Sequence, residues 1–336
     1  MFPSVGAIHA YPAAPEEAAQ LMTSTEQHAR DARTQRLALA AGLTTVVFWA
    51  SAFVGIRAAA VELSPGALAL GRLLVGSLAL GVIVAVRRPA LPGRRDLIPI
   101  VAIGVLWFGI YFLALNAAER EVDAGTAAML VNVAPILIAL LGGTFLGEGF
   151  PPRLLIGCAI AFAGVIVISV ATSAQQPGSS TTLGIALCFV SAAVYSIAVT
   201  IQKPLLRRVS GLMVTWLACS IGVLVSLPFL PQLLDEAGRA QPATLGWIVY
   251  LGVFPTAIAF STWAYALGHT SAGRLGSLTY LAPAIAIVIG WLLLGEAPAP
   301  AAFLGGAIAI GGVVVARSRG AVRPQAATPA SVTDAA

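Results

Sequence analysis

Long apolar runs follow one another along nearly the whole chain, and they limit its fold more than any other feature. About 20 helical residues cross a hydrocarbon core of ~30 Å, whereas membrane strands would alternate in segments of about ten residues. The sequence therefore predicts an all-α integral membrane protein with ten transmembrane helices. The segments lie at about 37–57, 66–86, 97–117, 123–146, 153–172, 182–202, 210–230, 245–267, 272–294 and 299–316.

Composition supports this prediction and describes the two ends of the chain. Of the 336 residues, 58% are hydrophobic and only 10% are charged, whereas soluble domains average about 25% charged residues. Residues 1–36 are polar and lack the apolar core of a signal peptide. We expect these residues, and the Ala/Pro/Thr-rich residues 317–336, to form disordered tails.

Basic residues are distributed unevenly between the two sides of the predicted bundle. With the N terminus in the cytoplasm, fifteen fall on the cytoplasmic side and three, namely Arg57, Arg120 and Arg239, on the outer side. This follows the positive-inside rule, so both termini and both tails are predicted to be cytoplasmic. The arginines are scattered over short loops, which argues against a nucleic-acid partner.

The sequence repeats itself at an offset of 148 residues. The stretch "LGGTFLGEGFPPRLLIG" from Leu141 is matched by "IGWLLLGEAPAPAAFLG" from Ile289. The chain is therefore predicted to contain two five-helix halves, 37–172 and 182–316, joined by a linker at 173–181. Residues paired by the offset include Gly125 and Gly273, Pro135 and Pro283, Glu148 and Glu296, Gly157 and Gly305, and Gly164 and Gly312.

The odd number of spans in each half determines how the halves are related. A half that begins in the cytoplasm ends outside, so the second half has the opposite topology. Inverted repeats of this kind recur in carriers whose central site faces either side in turn. The alternative is that the duplication is only a stable way to pack ten helices.

The repeated motifs resemble a known family. "LVNVAPILIALLGGTFLGE" and "LTYLAPAIAIVIGWLLLGE", with "FWASAFVGIR" in the first span and "LGRLLVG" in the second, are similar to the EamA family of the drug/metabolite transporter superfamily. The resemblance covers almost all of the chain except its tails. It implies a ten-helix carrier of the bacterial inner membrane, often an exporter of amino acids or related metabolites, without implying one substrate.

Two prolines near mid-span point to a site at the centre of the membrane. Pro135 and Pro283 each free a carbonyl four residues earlier, at Val131 and Thr279. Asn132 and Tyr280 lie beside these kinks and are also paired by the offset. Kinked helices with polar neighbours indicate a substrate site. The alternative is that the prolines bend the helices for packing and that Asn132 bonds a neighbouring helix.

Charged residues within or beside the spans have two possible roles each. Glu148 and Glu296 fall where a span gives way to a proline-bearing turn, so we predict that they accept bonds from the amides that start the next helix. The alternative is proton coupling. Arg72 lies inside the second span and either snorkels or pairs with Glu121 or Asp123, or meets an anionic group of the substrate.

Aromatic and hydroxyl side chains supply further candidates for an amphipathic substrate pocket. Trp and Tyr near span ends could instead form an interfacial belt, and Trp263 and Tyr265 fit that belt better. The pocket candidates are Trp49, Ser51, Trp107, Tyr111 and Tyr195.

The missing residue types narrow the function. No span centre holds Asp, Glu, Lys or His, and neither catalytic motifs, metal ligands nor cofactor signatures are recognisable. We predict a secondary transporter that exports a small metabolite or amino acid by alternating access and works as a monomer in the lipid bilayer. An uptake carrier or passive facilitator is the first alternative, and a membrane enzyme or receptor is a remote one.

Overall fold

The computed structural model describes residues 15–121, 130–175, 181–294 and 300–318, and all regular structure in these residues is helical. The elements, in chain order, are α1 (Pro15–Ala59), α2 (Pro65–Arg87), α3 (Arg94–Ile103), a π-helical segment (Gly104–Tyr111), α4 (Phe112–Glu121), α5 (Ala134–Phe145), α6 (Pro152–Gln175), α7 (Thr182–Leu205), α8 (Gly211–Ser226), a 3₁₀ turn (Leu227–Phe229), α9 (Leu230–Arg239), α10 (Pro242–Leu251), a second π-helical segment (Gly252–Ile258), α11 (Ala259–His269), α12 (Ala272–Gly276), a 3₁₀ segment (Ser277–Tyr280), α13 (Leu281–Leu294) and α14 (Pro300–Arg317).

Nine helical stretches of the described residues are long and apolar enough to cross a membrane. The predicted fourth span, 123–146, is described only over α5 and the residues just before it, since 122–129 lie outside the described residues. Outward faces are strongly apolar: Leu78, Val82 and Val86 on α2 expose 70%, 66% and 76% of their surface. A soluble protein would not leave such stripes uncovered, so the chain is a multi-pass membrane protein.

Helix α1 begins well before the predicted first span, which corrects the expectation of a disordered tail over 1–36. Residues 15–36 are helical and run without a break into the span. Their sequence is rich in Ala, Glu, Gln and Arg, which favour helix, and Pro15 occupies the first helical position. Residues 1–14 lie outside the described residues, as do 319–336 of the other predicted tail.

Short hydroxyl-bearing turns determine where several helices begin. Ser64, Thr181, Ser210 and Ser271 each accept, through the side-chain oxygen, the backbone N–H of the residue three positions later. These caps satisfy amides that would otherwise lack a partner at a helix N terminus. Pro65 follows one of these caps at the first position of α2, where its missing N–H costs nothing.

The two π-helical segments fall at equivalent positions of the two sequence halves. Gly104 begins the first and Gly252 begins the second, 148 residues later. A Cβ atom built on Gly104 would lie 2.9 Å from the carbonyl oxygen of Ala218 on α8, and one built on Gly252 would lie 2.9 Å from that of Arg72 on α2. Each segment therefore begins on a glycine that packs against the second helix of the other half.

Helices α6 and α14, the last of each half, pack backbone against backbone through the glycines that the repeat duplicates. Cβ atoms built on these four glycines would lie only 2.3–2.7 Å from backbone atoms of the facing helix. The close approach depends on small residues, as in other membrane helix pairs. The contacts run antiparallel: Gly157 against Ala316, Ala161 against Gly312, Gly164 against Ala309, and Ile168 against Gly305.

Candidate functional site

A cavity at the centre of the bundle takes its lining from both sequence halves and contains about 790 Å³ of empty space, its open side included. Its wall combines aromatic rings with one cation and a few amide and hydroxyl groups, an arrangement typical of small-molecule sites. The lining residues are Trp49, Ala52, Ile56, Arg72, Trp107, Tyr111, Phe112, Leu115, Asn116, Val131, Asn132, Pro135, Tyr195, Phe260, Thr279 and Ala282.

Aromatic rings form a continuous cluster on one side of this cavity. The Trp107 ring centroid lies 4.9 Å from that of Phe260 and 5.0 Å from that of Tyr195, and the Trp49 centroid lies 5.1 Å from that of Trp263. The assignment of Trp263 to an interfacial belt is therefore wrong, because this side chain is fully buried behind the cavity wall. Edge-to-face and offset packing at these distances holds the rings in fixed positions.

Arg72 is buried in the cavity wall, with only 3% of its surface exposed. Its Nε and Nη2 atoms donate to Thr256 Oγ1 at 3.3 and 3.1 Å, and the guanidinium carbon lies 4.4 Å from the centre of the Phe112 ring. Thr256 belongs to the second π-helical segment, so its position depends on that irregularity. A hydroxyl and an aromatic face thus hold the guanidinium at the cavity rather than at a membrane surface.

The possible acidic partners of Arg72 named from the sequence are placed differently. The Glu121 carboxylate accepts a hydrogen bond from Thr181 Oγ1 at 2.9 Å, at the end of the bundle. Asp123 lies outside the described residues. The structure therefore does not support pairing of Arg72 with Glu121, and it places Arg72 where it could meet a solute in the cavity.

Both proline regions interrupt their helices and border the cavity, but with different side chains. In the first half, Asn132 and Pro135 line the cavity, and a turn at 132–133 precedes α5. In the second half a 3₁₀ segment takes the place of that turn. There Thr279 and Ala282 line the cavity, and Thr279 is one of the two residues whose carbonyls the prolines were expected to free.

Three sequence candidates are not part of the cavity wall. Tyr280 is fully buried, with its ring 6.4 Å from that of Phe162, and Pro283 is also buried. Ser51 instead exchanges a 2.7 Å hydrogen bond with the Tyr250 hydroxyl and bonds the carbonyl of Phe48. Equivalence by the repeat offset predicted a role for Tyr280, but the adjacent positions face the cavity in the second half.

Three buried polar atoms in the wall have no hydrogen-bond partner within the described residues. They are Trp49 Nε1, Asn116 Oδ1 and Tyr195 Oη. The Asn116 amide nitrogen does donate to the carbonyl of Pro65 at 3.1 Å. An unpaired buried polar atom costs about 1–3 kcal/mol. These atoms are therefore candidates to bind a polar solute after a small movement of the wall.

Glu148 caps a helix, but one in the other half of the chain. Its Oε1 accepts the amide of Ala272 at 2.7 Å and its Oε2 accepts that of Gly273 at 3.2 Å, at the start of α12. The sequence predicted this capping role for the helix that follows Glu148, so the type of contact agrees and the partner differs. Glu296 lies outside the described residues.

A multi-pass helical bundle around an aromatic and polar cavity is the architecture of a membrane transporter. The chain belongs to the EamA-like transporter family, whose model matches residues 36–170 and 182–318, once in each predicted half. The family inferred from the repeated proline and Leu-Gly-Glu motifs is thus confirmed. Together with relatives named as transporters, it identifies a transporter rather than an enzyme.

Similar proteins extend over most of the chain. A probable terminal-alkyne amino-acid exporter of Streptantibioticus cattleyicolor is 37% identical over 289 residues, covering 85% of this chain and 95% of its own. The uncharacterized transporter YdfC of Bacillus subtilis is 35% identical and covers 79% of this chain and 86% of its own. A crystal structure with 21% identity aligns over 83% of this chain and 96% of its own, with a TM-score of 0.70, and so shares the fold.

Proposed function

We propose that this protein is a secondary carrier that exports an amino acid or a closely related small metabolite by alternating access. The observation that carries the proposal is the central cavity, because both halves contribute to it and its wall holds a buried cation among aromatic rings. The exporter named among the similar proteins supports an amino-acid substrate. The carrier works as a monomer in a bacterial inner membrane.

The chain forms ten spans arranged as two inverted five-helix repeats. Support comes from three features that recur at the offset of 148 residues: the π-helical segments, the interrupted helices beside the cavity, and the glycines of α6 and α14. The antiparallel contact of α6 with α14 is the one expected when equivalent helices cross a pseudo-two-fold axis in the membrane plane.

Alternation of the loops is supported by contacts that join turns assigned to the same side. Asp96 accepts from Arg208 at 2.8 Å on the arginine-rich side, which we assign to the cytoplasm. On the other side Glu62 accepts the amide of Gln241 at 2.8 Å. Reporters fused after Arg94 and Arg207 should report cytoplasm, and reporters at Gln176 and Gln241 the outer side. An outer signal after Arg207 would rule out this topology.

The structure corresponds to an outward-facing state. The cavity lies among the middle and outer parts of the spans, whereas packed side chains close the cytoplasmic end. There Leu205, Met213, Leu267 and Leu275 come from four different helices and expose no more than 1% of their surface. Transport requires these contacts to open while the opposite end of the cavity closes, so that one site serves both sides.

Residues of the wall take distinct roles toward an amino acid. Arg72 binds the carboxylate, because a guanidinium pairs with a carboxylate through two parallel hydrogen bonds. The rings of Trp49, Trp107 and Tyr195 contact an apolar side chain, and the Asn132 amide and Tyr111 hydroxyl orient the polar end. Pro135 and Pro283 keep their helices interrupted, while Glu148 and Glu296 cap turns.

Counterflow in proteoliposomes tests the proposal. Vesicles loaded with one unlabelled amino acid are diluted into its labelled form, using aliphatic, aromatic and terminal-alkyne amino acids in turn. A transient accumulation of label is expected for at least one, and Trp107→Ala should abolish it. Trp291→Ala is the matched control, because Trp291 is 47% exposed and does not line the cavity. If no compound in the panel shows counterflow, or if both variants behave alike, the proposed site is wrong.

A further inference from the structure

A second cavity, rich in basic residues, lies at the arginine-rich end of the bundle and contains about 1670 Å³ of empty space including its open side. We call it the basic cavity. Four separate segments supply its cationic lining residues: the start of the first span, the end of α7, the turn into α12, and the end of α14. These residues are Arg36, Lys203, His269, Arg274 and Arg317.

Hydrogen bonds to the backbone hold several of these cations in place. Lys203 Nζ donates to the carbonyl oxygens of Leu267 and Thr270, and Arg317 Nη1 donates to that of Arg274 at 3.2 Å. The described lining contains no carboxylate. Glu148, near the same turn, already accepts two backbone amides. Cations held together in this way repel one another, so an anion bound among them would stabilise the arrangement.

Apolar side chains extend from the basic cavity along two helices. On α1, Leu43 and Val47 follow Arg36 at spacings of 7 and 11 residues, so the three share one face of the helix. They are 38% and 44% exposed. On α14, Ile310 and Val314 share a face with Arg317 and are 51% and 63% exposed. Each arginine therefore lies at the end of an apolar stripe that faces lipid.

We infer that the basic cavity binds the phosphate headgroup of an anionic glycerophospholipid, with the acyl chains lying on the two stripes. Basic pockets between transmembrane helices are suited to such headgroups. The positive-inside rule explains an excess of arginine on this side, but not the convergence of five basic side chains on one cavity. The stripes favour a lipid over a free anion, because a free anion would gain nothing from them. The inference does not depend on the transported substrate.

Thermal unfolding of the full-length protein in a neutral detergent tests the inference. Short-chain phosphatidylglycerol is titrated, with short-chain phosphatidylcholine and inorganic phosphate as parallel arms. Phosphatidylglycerol should raise Tm saturably by about 3–5 °C, as expected for a ligand that binds only the folded state. The triple variant Arg36→Gln, Arg274→Gln, Arg317→Gln should need about tenfold more lipid or more for the same rise.

A second triple variant, Arg87→Gln, Arg94→Gln, Arg95→Gln, is the matched control. It removes the same charge from exposed residues on the same side of the bundle that do not line the basic cavity. This control should keep the wild-type response. The inference is overturned if phosphatidylcholine gives the same rise, if the control loses the response equally, or if inorganic phosphate alone reproduces it, which would indicate a free-anion site. If the cavity variant does not fold, Arg274→Gln alone replaces it and should shift the midpoint in the same direction.

Discussion

The interface between α6 and α14 and the wall of the central cavity are both built from equivalent parts of the two halves, yet they have diverged to different degrees. At the interface, two glycines from each half make the same kind of backbone contact. In the cavity, the first half contributes Asn132 and Pro135 where the second contributes Thr279 and Ala282. A contact between backbones admits one solution, whereas a wall of side chains can change one residue at a time.

This difference indicates where each region acts. The symmetric interface fixes how the two halves meet, and any added atom there meets backbone that cannot move aside. The asymmetric wall has to recognise a solute, and a solute such as an amino acid has no two-fold symmetry. We therefore expect substitutions at the interface to affect folding and substitutions in the wall to affect transport.

The largest effect is expected for Gly312→Ala. A Cβ atom at this position would lie 2.3 Å from the backbone nitrogen of Ala161, and overpacking of this kind costs about 1–3 kcal/mol or more. Gly311→Ala is the matched control, since nothing lies within 4 Å of its added Cβ. Thermal unfolding should show a loss of roughly 5 °C or more for the first variant only. Equal values for both would show that the close contact is not needed.

A large effect on transport is expected for Arg72→Gln. A hydrogen bond to a charged group contributes ~1.5–3 kcal/mol, so flux at low substrate concentration should fall about tenfold or more. Arg72→Lys should recover part of the flux, because it keeps the charge while losing the two-pronged geometry. Arg87→Gln, on the exposed end of the same helix, should leave flux unchanged. Full flux in Arg72→Gln with normal abundance would make the guanidinium structural.

An intermediate effect separates the two proline regions. Asn132→Ala should reduce flux more than Tyr280→Phe, because Asn132 lines the cavity while the Tyr280 side chain is buried against Phe162. The reverse order would mean that the two halves are equivalent in function despite their different lining. Pro135→Ala and Pro283→Ala should both lower flux without lowering membrane abundance, since alanine favours the straight helix that the mechanism disfavours. Wild-type flux in both proline variants would make the interruptions a matter of packing alone.

Much of this architecture could be predicted because its signals are periodic and local. Apolar length gave the spans, and the offset of 148 residues gave the paired glycines and prolines. The π-helical segments were missed because glycine and aromatic residues carry no distinctive signature for them. The environments of Trp263 and Tyr280 were misjudged because position along a helix does not specify which face meets the cavity. The partner of Glu148 lies 124 residues away, and no local pattern could have identified it.

The smallest effect is expected for proton coupling. A proton-coupled carrier needs a group that binds a proton in one state and releases it in the other, usually a desolvated carboxylate within the membrane. Within the described residues the cavity lining holds no carboxylate, and Glu148 is held by the amides of Ala272 and Gly273 at the end of the bundle. We therefore expect an imposed pH step of about one unit to change counterflow by less than about twofold. Glu148→Gln should retain this insensitivity, with Gln241→Glu as a charge-changing control at the opposite end. Accumulation against the substrate gradient that is driven by the pH step, and lost in Glu148→Gln, would instead assign this turn-capping residue to coupling.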